Sequence, residues 1–310
     1  MGSLCIMIGL PCSGKDTIAN IIRNNNLGNT IILSSDEIRV ELFGYENQND
    51  NQKVFQEMNR RCKECLSRGL NVIYNATNLS RKRRKALILE MKKHTNELYA
   101  VICLSMIGTI LERNFVRNER HVPEDKLIQM FKNIDVPLKY EGYNKIYIVN
   151  TDNINDSTKM VEWLKAIGTN YDQKNEYHNE YLLDHLLTTA DKAVDKSGDK
   201  ILYEAGRFHD IGKPYSREWN EKKNKYTYYQ HYKISAYLYL LYYTYVNKIE
   251  NIIEMPDALN EVITLIYHHM DKFINNLDET RKLIGEDLFK KLEILIEADS
   301  YRKGENVNEE

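Results

Sequence analysis

One stretch constrains this chain more than any other. It is "GLPCSGKDT", residues 9–17, in which Gly9, Gly14 and Lys15 keep the spacing G-x-x-x-x-G-K. The residues before it, "SLCIMI", are apolar and suit a buried strand, and those after it, "DTIANIIRNN", place apolar residues at helical spacing. Strand, glycine-bearing loop and helix in that order bring a row of backbone N–H groups and the positive end of a helix to one point. That arrangement holds phosphate oxygens, with Lys15 in reach of the outer ones. Ser13, Asp16 and Thr17 complete the expected nucleotide-binding set. At position 16, where a Ser or Thr hydroxyl ordinarily ligates Mg²⁺, the chain carries Asp, a carboxylate able to take the ion directly or through water.

Four further apolar runs, "TIILS", "NVIYNA", "LYAVICLS" and "KIYIVN", alternate with amphipathic helical patterns. This is the rhythm of a parallel α/β sheet covered on both faces. It stops near residue 168. Past the polar stretch "TNYDQKNEYHNEY", apolar residues recur at helical spacing from Leu182 onward, with no strand-like run. The expected organisation is an α/β domain over 1–168, a linker over 169–176, an all-α domain over 177–304 and a tail over 305–310. A chain of 310 residues, 42% hydrophobic, is long enough for two modest cores.

A formal net charge of −2 gives no whole-molecule attraction to nucleic acid, so any such binding must come from a local basic surface. Five cysteines, an odd number, and an apolar opening too short for a signal peptide or membrane span suit a reduced, cytoplasmic protein without a membrane partner. Cys62 and Cys65 form one C-x-x-C in a helical setting with no second pair, which reads as chance spacing.

The second strand is followed by "SSDEIRVELFG", which puts Asp36 and Arg39 three apart, on one face of a helix starting at the sheet edge where α/β folds bind ligands. Alone, Asp36 would most simply be an N-cap. Beside a phosphate loop it is the carboxylate that phosphoryl transfer to a hydroxyl needs as proton acceptor, with Arg39 holding a phosphate of the acceptor. "YNATNLSRKRRKAL" carries five basic residues in succession, Arg81 to Lys85, either a nucleic-acid patch or a solvated face. "ILERNFVRNERHVPEDKL" places Arg113, Arg117 and Arg120 near a helix end before Pro123. Arg113 and Arg117, four apart, have the spacing of an arginine clamp over transferring phosphates.

Through "GLPCSGKDT", "DEIR", "ATNLSRKRR" and "RNFVRNERHVP", residues 1–165 resemble the kinase domain of phage-type 5′-hydroxyl polynucleotide kinases, within the P-loop kinase class. The resemblance implies a loop and Lys15 that bind ATP or another NTP with Mg²⁺, Asp36 as general base, Arg39 on the acceptor's phosphate, and Arg113 and Arg117 over the donor's phosphates. Two positions depart from its pattern. Asp16 replaces Ser or Thr, and Asn75 stands where an acidic residue is common at the end of the third strand.

In the helical half, "LLDHLL" contains His185, "AGRFHDIGKP" contains His209, Asp210 and Lys213, "YYQHYKISAYL" contains His231, "LIYHHMDKF" contains His268 and His269, and "EADSYR" contains Asp299. Adjacent His209 and Asp210, at a helix end broken by Gly212 and Pro214, suit one metal centre, which another His and a late Asp would complete. Of the two neighbours His268 and His269, the second follows Leu265 and Ile266 by four and three and faces the bundle. The order H…HD…D with "HDIGK" resembles the HD phosphohydrolase superfamily over residues 178–303. It implies His185, His209, Asp210 and Asp299 as central ligands, His231 and His269 for a second metal, Lys213 against phosphate charge, and a divalent ion such as Mn²⁺, Ni²⁺ or Co²⁺. His178 and Arg207 read as polar residues facing solvent, with contact to substrate as the alternative. Together the resemblances imply a bifunctional healing enzyme for nucleic-acid ends, RNA favoured: a kinase for 5′-OH ends and a phosphoesterase for 2′,3′-cyclic or 3′-phosphates, acting upstream of an RNA ligase. Alternatives are a small-molecule kinase joined to a nucleotidase, a non-catalytic HD module, and a P-loop that only regulates the HD half. The oligomeric state is open, a homo-oligomer included.

Overall fold

The structure, a computed structural model, describes residues 2–25, 28–44, 50–117, 121–154, 171–173 and 181–300. His178, Arg120 and most of the expected linker lie outside the described residues. The chain forms two compact units, Met1–Asn153 with Lys248–Met255, and Ile154–Asn247 with Pro256–Glu310. The first unit is therefore built from two separated stretches of sequence.

In the first unit the elements run β1 (Leu4–Ile8), α1 (Lys15–Asn25), β2 (Thr30–Ser34), α2 (Ser35–Phe43), α3 (Asn51–Ser67), β3 (Asn71–Asn75), α4 (Arg81–Met91), β4 (Leu98–Leu104), α5 (Ile107–Phe115), α6 (Glu124–Lys132) and β5 (Lys145–Asn150). The five apolar runs become five parallel strands in the order β2-β3-β1-β4-β5. They are legible as continuous apolar runs because helices cover both faces, so neither face of a strand has to be polar. On one face Met7, Ile73, Val101, Cys103 and Val149 pack with Ile18 and Ala19 of α1. Each large side chain so buried contributes roughly 1.5–3 kcal/mol. That contact fixes α1, and with it the loop of residues 9–14, against the C-terminal edge of β1. Cys62 lies buried on α3, where burial pushes its thiol up to about 12, so the C-x-x-C is a packing feature without thiolate character.

The sheet has a sixth strand. Beyond Leu182 the sequence reads as purely helical, but β8 (Ile253–Glu254) pairs antiparallel with β5, Ile148 opposite Ile253, and Met255 donates its N–H to the Ile146 carbonyl at 2.7 Å. A hairpin, β6 (Glu218–Asn220) with β7 (Lys225–Thr227), is the other exception. Strands of two and three residues are too short to carry a period, which is why neither is visible in the sequence.

Among the described residues the regular elements of the second unit are otherwise helices: α7 (Leu182–Ser197), α8 (Lys200–Phe208), α9 (Lys213–Ser216), α10 (His231–Val246), α11 (Asp257–His268), α12 (Asp271–Ile274), α13 (Leu277–Ile284) and α14 (Glu286–Asp299). Two glycines set its tightest crossings. A Cβ at Gly206 would fall 2.6 Å from the Ala190 Cα, so α8 crosses α7 almost backbone to backbone and carries His209 to His185. A Cβ at Gly212 would fall 2.3 Å from the His231 carbonyl oxygen, so the chain leaving α8 meets the start of α10 and brings Asp210 beside His231. Any side chain at either position would force these backbones apart. Among the described residues no helix is long and apolar enough to cross a membrane.

Candidate phosphate-binding and metal sites

The loop between β1 and α1 turns through two left-handed residues, Cys12 at φ 62° and Gly14 at φ 76°. Lys15, 9% exposed, donates from Nζ to the Leu10 carbonyl at 2.7 Å. Burial lowers its pKa, with nearby Asp16 and Asp36 opposing that shift. An ammonium folded back on its own loop has lost water without gaining an anion, the situation a phosphate oxygen corrects. Ser13 is buried at the base of the loop, where Thr151 donates from Oγ1 to its carbonyl at 3.1 Å, and Thr17 is exposed on the first turn of α1.

The two departures from the P-loop kinase pattern meet. Asn75, at the end of β3, donates from Nδ2 to Asp16 Oδ1 at 2.7 Å, and its amide oxygen Oδ1 is buried without a hydrogen-bond partner among the described residues. The usual pair is a hydroxyl on the loop and a carboxylate on the strand. Here the carboxylate is on the loop and the neutral group on the strand, so the pair keeps one negative charge. An oxygen-donor set of this charge fits Mg²⁺.

Ser34, not Asp36, caps α2, accepting from the Glu37 N–H at 3.4 Å. Asp36 is thereby left in the first helical turn, its carboxylate 2.9 Å from Arg39 Nη1. Arg39 is 3% exposed and also donates from Nη2 to Asn51 Oδ1 at 2.8 Å, so it orients Asp36 from within the fold. Arg113 reaches the phosphate loop from α5, donating from Nη1 to the Cys12 carbonyl at 3.3 Å and from Nη2 to the Thr151 carbonyl at 2.7 Å. Arg117 approaches the same loop residue, 3.5 Å from Cys12 Sγ. Both arginines thus lie beside the cradle. Asn114, unremarked in the sequence, bonds Val122 in both directions, at 2.8 and 3.0 Å.

The basic run does not form one surface. Arg84 is 1% exposed and forms a two-pronged bond to buried Glu141, at 2.9 and 2.7 Å. Arg81 is half-buried over the Tyr140 ring and 3.5 Å from Glu141. Lys82, Arg83 and Lys85 alone of the five are exposed. The helical repeat explains the split, since Arg84, Leu87, Ile88 and Met91 share one buried stripe.

In the second unit two clusters share Asp210. His185, His209, Asp210 and Asp299 form one; Asp210, His231 and His269 form the other. Nε2 of His185 lies 3.1 Å from Nε2 of His209, and both lie 3.1 Å from Asp299 Oδ1. Nε2 of His231 lies 3.1 Å from Nε2 of His269 and 2.8 Å from Asp210 Oδ1. The outer nitrogens are tied down: Nδ1 of His209, His231 and His269 contacts the carbonyls of Gly206, Tyr228 and Ile266 at 2.8, 2.7 and 2.7 Å. A ring donating from Nδ1 presents a bare lone pair at Nε2. Buried lone pairs facing each other repel unless a cation or proton sits between them, so the donor set fits a divalent metal. Asp210 offers Oδ2 to one cluster and Oδ1 to the other, as a carboxylate shared by two ions would. Burial alone would lower the pKa of His209, but the Asp210 and Asp299 carboxylates outweigh it and raise it to about 9. Burial opposes the ionisation of Asp210 and Asp299, yet the surrounding cations hold both well below the usual carboxylate range.

Lys213 Nζ pairs with Asp210 and donates to Gln173 Oε1 at 2.7 Å. Gln173, which no motif points to, thus positions a lysine at the metal site. His268 instead bonds Asp271 at 2.7 Å, away from both clusters, and Arg207 pairs with Glu204 at 3.2 Å.

Residues 4–137 match the AAA domain family model, and residues 182–303 match the HD domain model. The chain thus has the fold of a P-loop kinase, a mainly parallel sheet flanked by helices, followed by a helical domain of the HD type. An L-seryl-tRNA(Sec) kinase of Methanococcus maripaludis is 26% identical over 178 residues, 56% of this chain and 69% of that protein. Among solved structures, the Pnkp1/Rnl/Hen1 RNA repair complex is similar at 18% identity and a TM-score of 0.38, over 42% of this chain and 42% of that one, so less than half of that chain's length is spanned. A gluconokinase from Sinorhizobium meliloti 1021 is similar at 19% identity and a TM-score of 0.36, over 49% of this chain and 83% of that one.

Proposed function

We propose that this chain heals nucleic-acid ends, RNA by preference, with two independent activities. The first unit transfers the terminal phosphate of ATP or another NTP to a 5′-hydroxyl. Asp36 takes the hydroxyl proton, the oxygen bonds to the γ-phosphorus, and the bond to the departing nucleoside diphosphate breaks with its electron pair. Lys15 and the loop hold the phosphates, Arg39 keeps Asp36 aimed, and Arg113 and Arg117 offset charge on the transferring group. The observation that carries this reading is the Asp36 carboxylate at the C-terminal edge of β2, ionically oriented and beside a cradle already flanked by two arginines. A nucleic-acid acceptor is supported by the relative named for an aminoacylated tRNA.

The second unit opens 2′,3′-cyclic phosphates or removes 3′-phosphates. Metal bound between the clusters would supply a water acidic enough to attack phosphorus near neutral pH. His185, His209, Asp299, His231 and His269 would hold it, Asp210 would span both positions, and Lys213 would meet phosphate charge. The two products, a 5′-phosphate and a free 3′ end, are those a ligase consumes.

A second reading is favoured by one observation: burial of Arg84 leaves a thinner basic surface than five exposed basic residues in succession would give, as suits a kinase for a small hydroxyl compound. Labelled ATP offered with a 5′-OH oligoribonucleotide, nucleosides and sugars separates the two. Transfer to the oligonucleotide, lost in Asp36→Ala, is expected; transfer to a nucleoside or sugar alone would favour the small-molecule reading.

A further inference from the structure

A cleft of about 590 Å³ opens over the shared metal site, with Asp210, Lys213, His231 and Asp299 among its lining residues. That volume lies in the range of roughly 300–1,000 Å³ that encloses a whole organic ligand, far more than one phosphate group occupies. Its walls come from parts of the chain that carry no HD motif: the β6–β7 hairpin contributes Lys223, Lys225 and Tyr226, and α12 contributes Lys272 and Phe273.

The hairpin is built to stay in place. Asn224 takes φ 47° in its turn, a conformation Asn tolerates, and Lys223 donates its N–H to the Asn220 carbonyl at 3.2 Å. The Tyr226 ring is held between Trp219, whose centroid is 5.0 Å away, and Arg217, whose guanidinium carbon lies 3.9 Å from the ring centroid. Phe273 is 68% exposed, a large apolar face standing at a cleft whose rim also carries Lys223, Lys225 and Lys272. Lys213 is already engaged with Asp210 at the His/Asp clusters. Three further lysines supply more positive charge than a single attacked phosphate uses, and an exposed aromatic face is what an unpaired base stacks on.

We propose that the cleft binds a nucleotide carrying a second phosphate besides the one at the metals: Lys223, Lys225 and Lys272 take the second phosphate and Phe273 stacks the base. This rests on the phosphohydrolase reading of the metal clusters, whose substrate class it narrows. A free nucleoside polyphosphate and the terminal dinucleotide of a chain share this chemistry.

The test uses the full chain loaded with Mn²⁺ and four ligands. They are bis-p-nitrophenyl phosphate, which has no purine or pyrimidine base; a 2′,3′-cyclic mononucleotide; a dinucleotide with the same cyclic end; and ATP as a competitor. Expected is a KM for the dinucleotide about tenfold below that of the mononucleotide. In Lys223→Ala/Lys225→Ala this advantage disappears, with kcat and turnover of bis-p-nitrophenyl phosphate unchanged. Phe273→Ala raises KM for both cyclic nucleotides and leaves their kcat unchanged. Stronger inhibition by ATP than by an uncleavable dinucleotide would assign the cleft to free nucleotides, and the reverse to chain ends. Equal KM values for mono- and dinucleotide, or a lysine variant that slows the base-free ester equally, would overturn the proposal. Should no ester be hydrolysed, the phosphohydrolase reading fails by itself. Fluorescence anisotropy of a labelled 3′-phosphorylated dinucleotide still decides the cleft: binding weakened about tenfold in the lysine variant supports it, and binding unchanged overturns it.

Discussion

Replacing Arg84 by Ala distinguishes a buried ion pair from a nucleic-acid patch. Arg84 makes bonds to Glu141 Oε2 and Oε1 at 2.9 and 2.7 Å and to the carbonyls of Asn78, Leu79, Asp135 and Val136 at 2.9, 3.1, 2.8 and 3.3 Å. Removing the guanidinium leaves a fully buried carboxylate with the Leu138 N–H, the Tyr143 hydroxyl and, at 3.5 Å, Arg81 Nε beside it. Breaking one partner from such a pair costs about 3–5 kcal/mol. For a unit of this size each kcal/mol moves the midpoint by about 2–4 °C, so Tm should fall by about 6–20 °C. Thermal unfolding followed by hydrogen exchange of β3 and β4 amides assigns the transition to the first unit. Arg84→Lys should fall between, keeping the charge and losing the fork. Where the variant remains folded, the salt dependence of RNA binding should match wild type. An unchanged Tm with a shallower salt slope would refute the burial reasoning and return Arg84 to the surface.

The remaining expectations concern the two sites. Asp16→Ser should weaken Mg²⁺-dependent NTP binding by about tenfold, and Asp16→Ser/Asn75→Asp should restore most of it by returning the single negative charge; calorimetry with and without Mg²⁺ checks both. Gly206→Ala should destabilise the second unit and weaken Mn²⁺ uptake while leaving NTP binding intact, since its Cβ would meet the Ala190 backbone within that unit. Because His209 holds a proton up to about 9 in the metal-free protein, Mn²⁺ binding at pH 7 should release protons, and affinity should rise with pH below that value. The sign for stability follows: a raised histidine pKa stabilises the metal-free fold below about 6.5, and that contribution fades as pH passes 9. Titration in buffers of different ionisation enthalpy reads the proton count; none released would contradict the assignment.

Much of this was legible in the sequence because the determining interactions are local or periodic. Buried parallel strands show as unbroken apolar runs, and the phosphate loop is contiguous. His185, His209, His231 and His269 stand out because each interrupts an apolar helical stripe. What stayed hidden depends on partners distant in the chain. Asp16 and Asn75 could each be singled out, but their bond spans 59 positions. Gln173 is tied to Lys213 across 40, and β8 gains its identity only by lying against β5. Arg84 is the exception, since its place in the stripe with Leu87, Ile88 and Met91 was readable and was masked by the basic residues beside it.

The central claim is that one chain carries two separate phosphate chemistries for the two ends of an RNA break. The most direct measurement follows both ends of one oligoribonucleotide bearing a 5′-OH and a 2′,3′-cyclic phosphate, with wild type, Lys15→Ala and Asp210→Ala. Expected is 5′ phosphorylation lost only in Lys15→Ala and 3′ processing lost only in Asp210→Ala. Failure of the wild-type protein to act on either end, or loss of both activities in either variant, would contradict it.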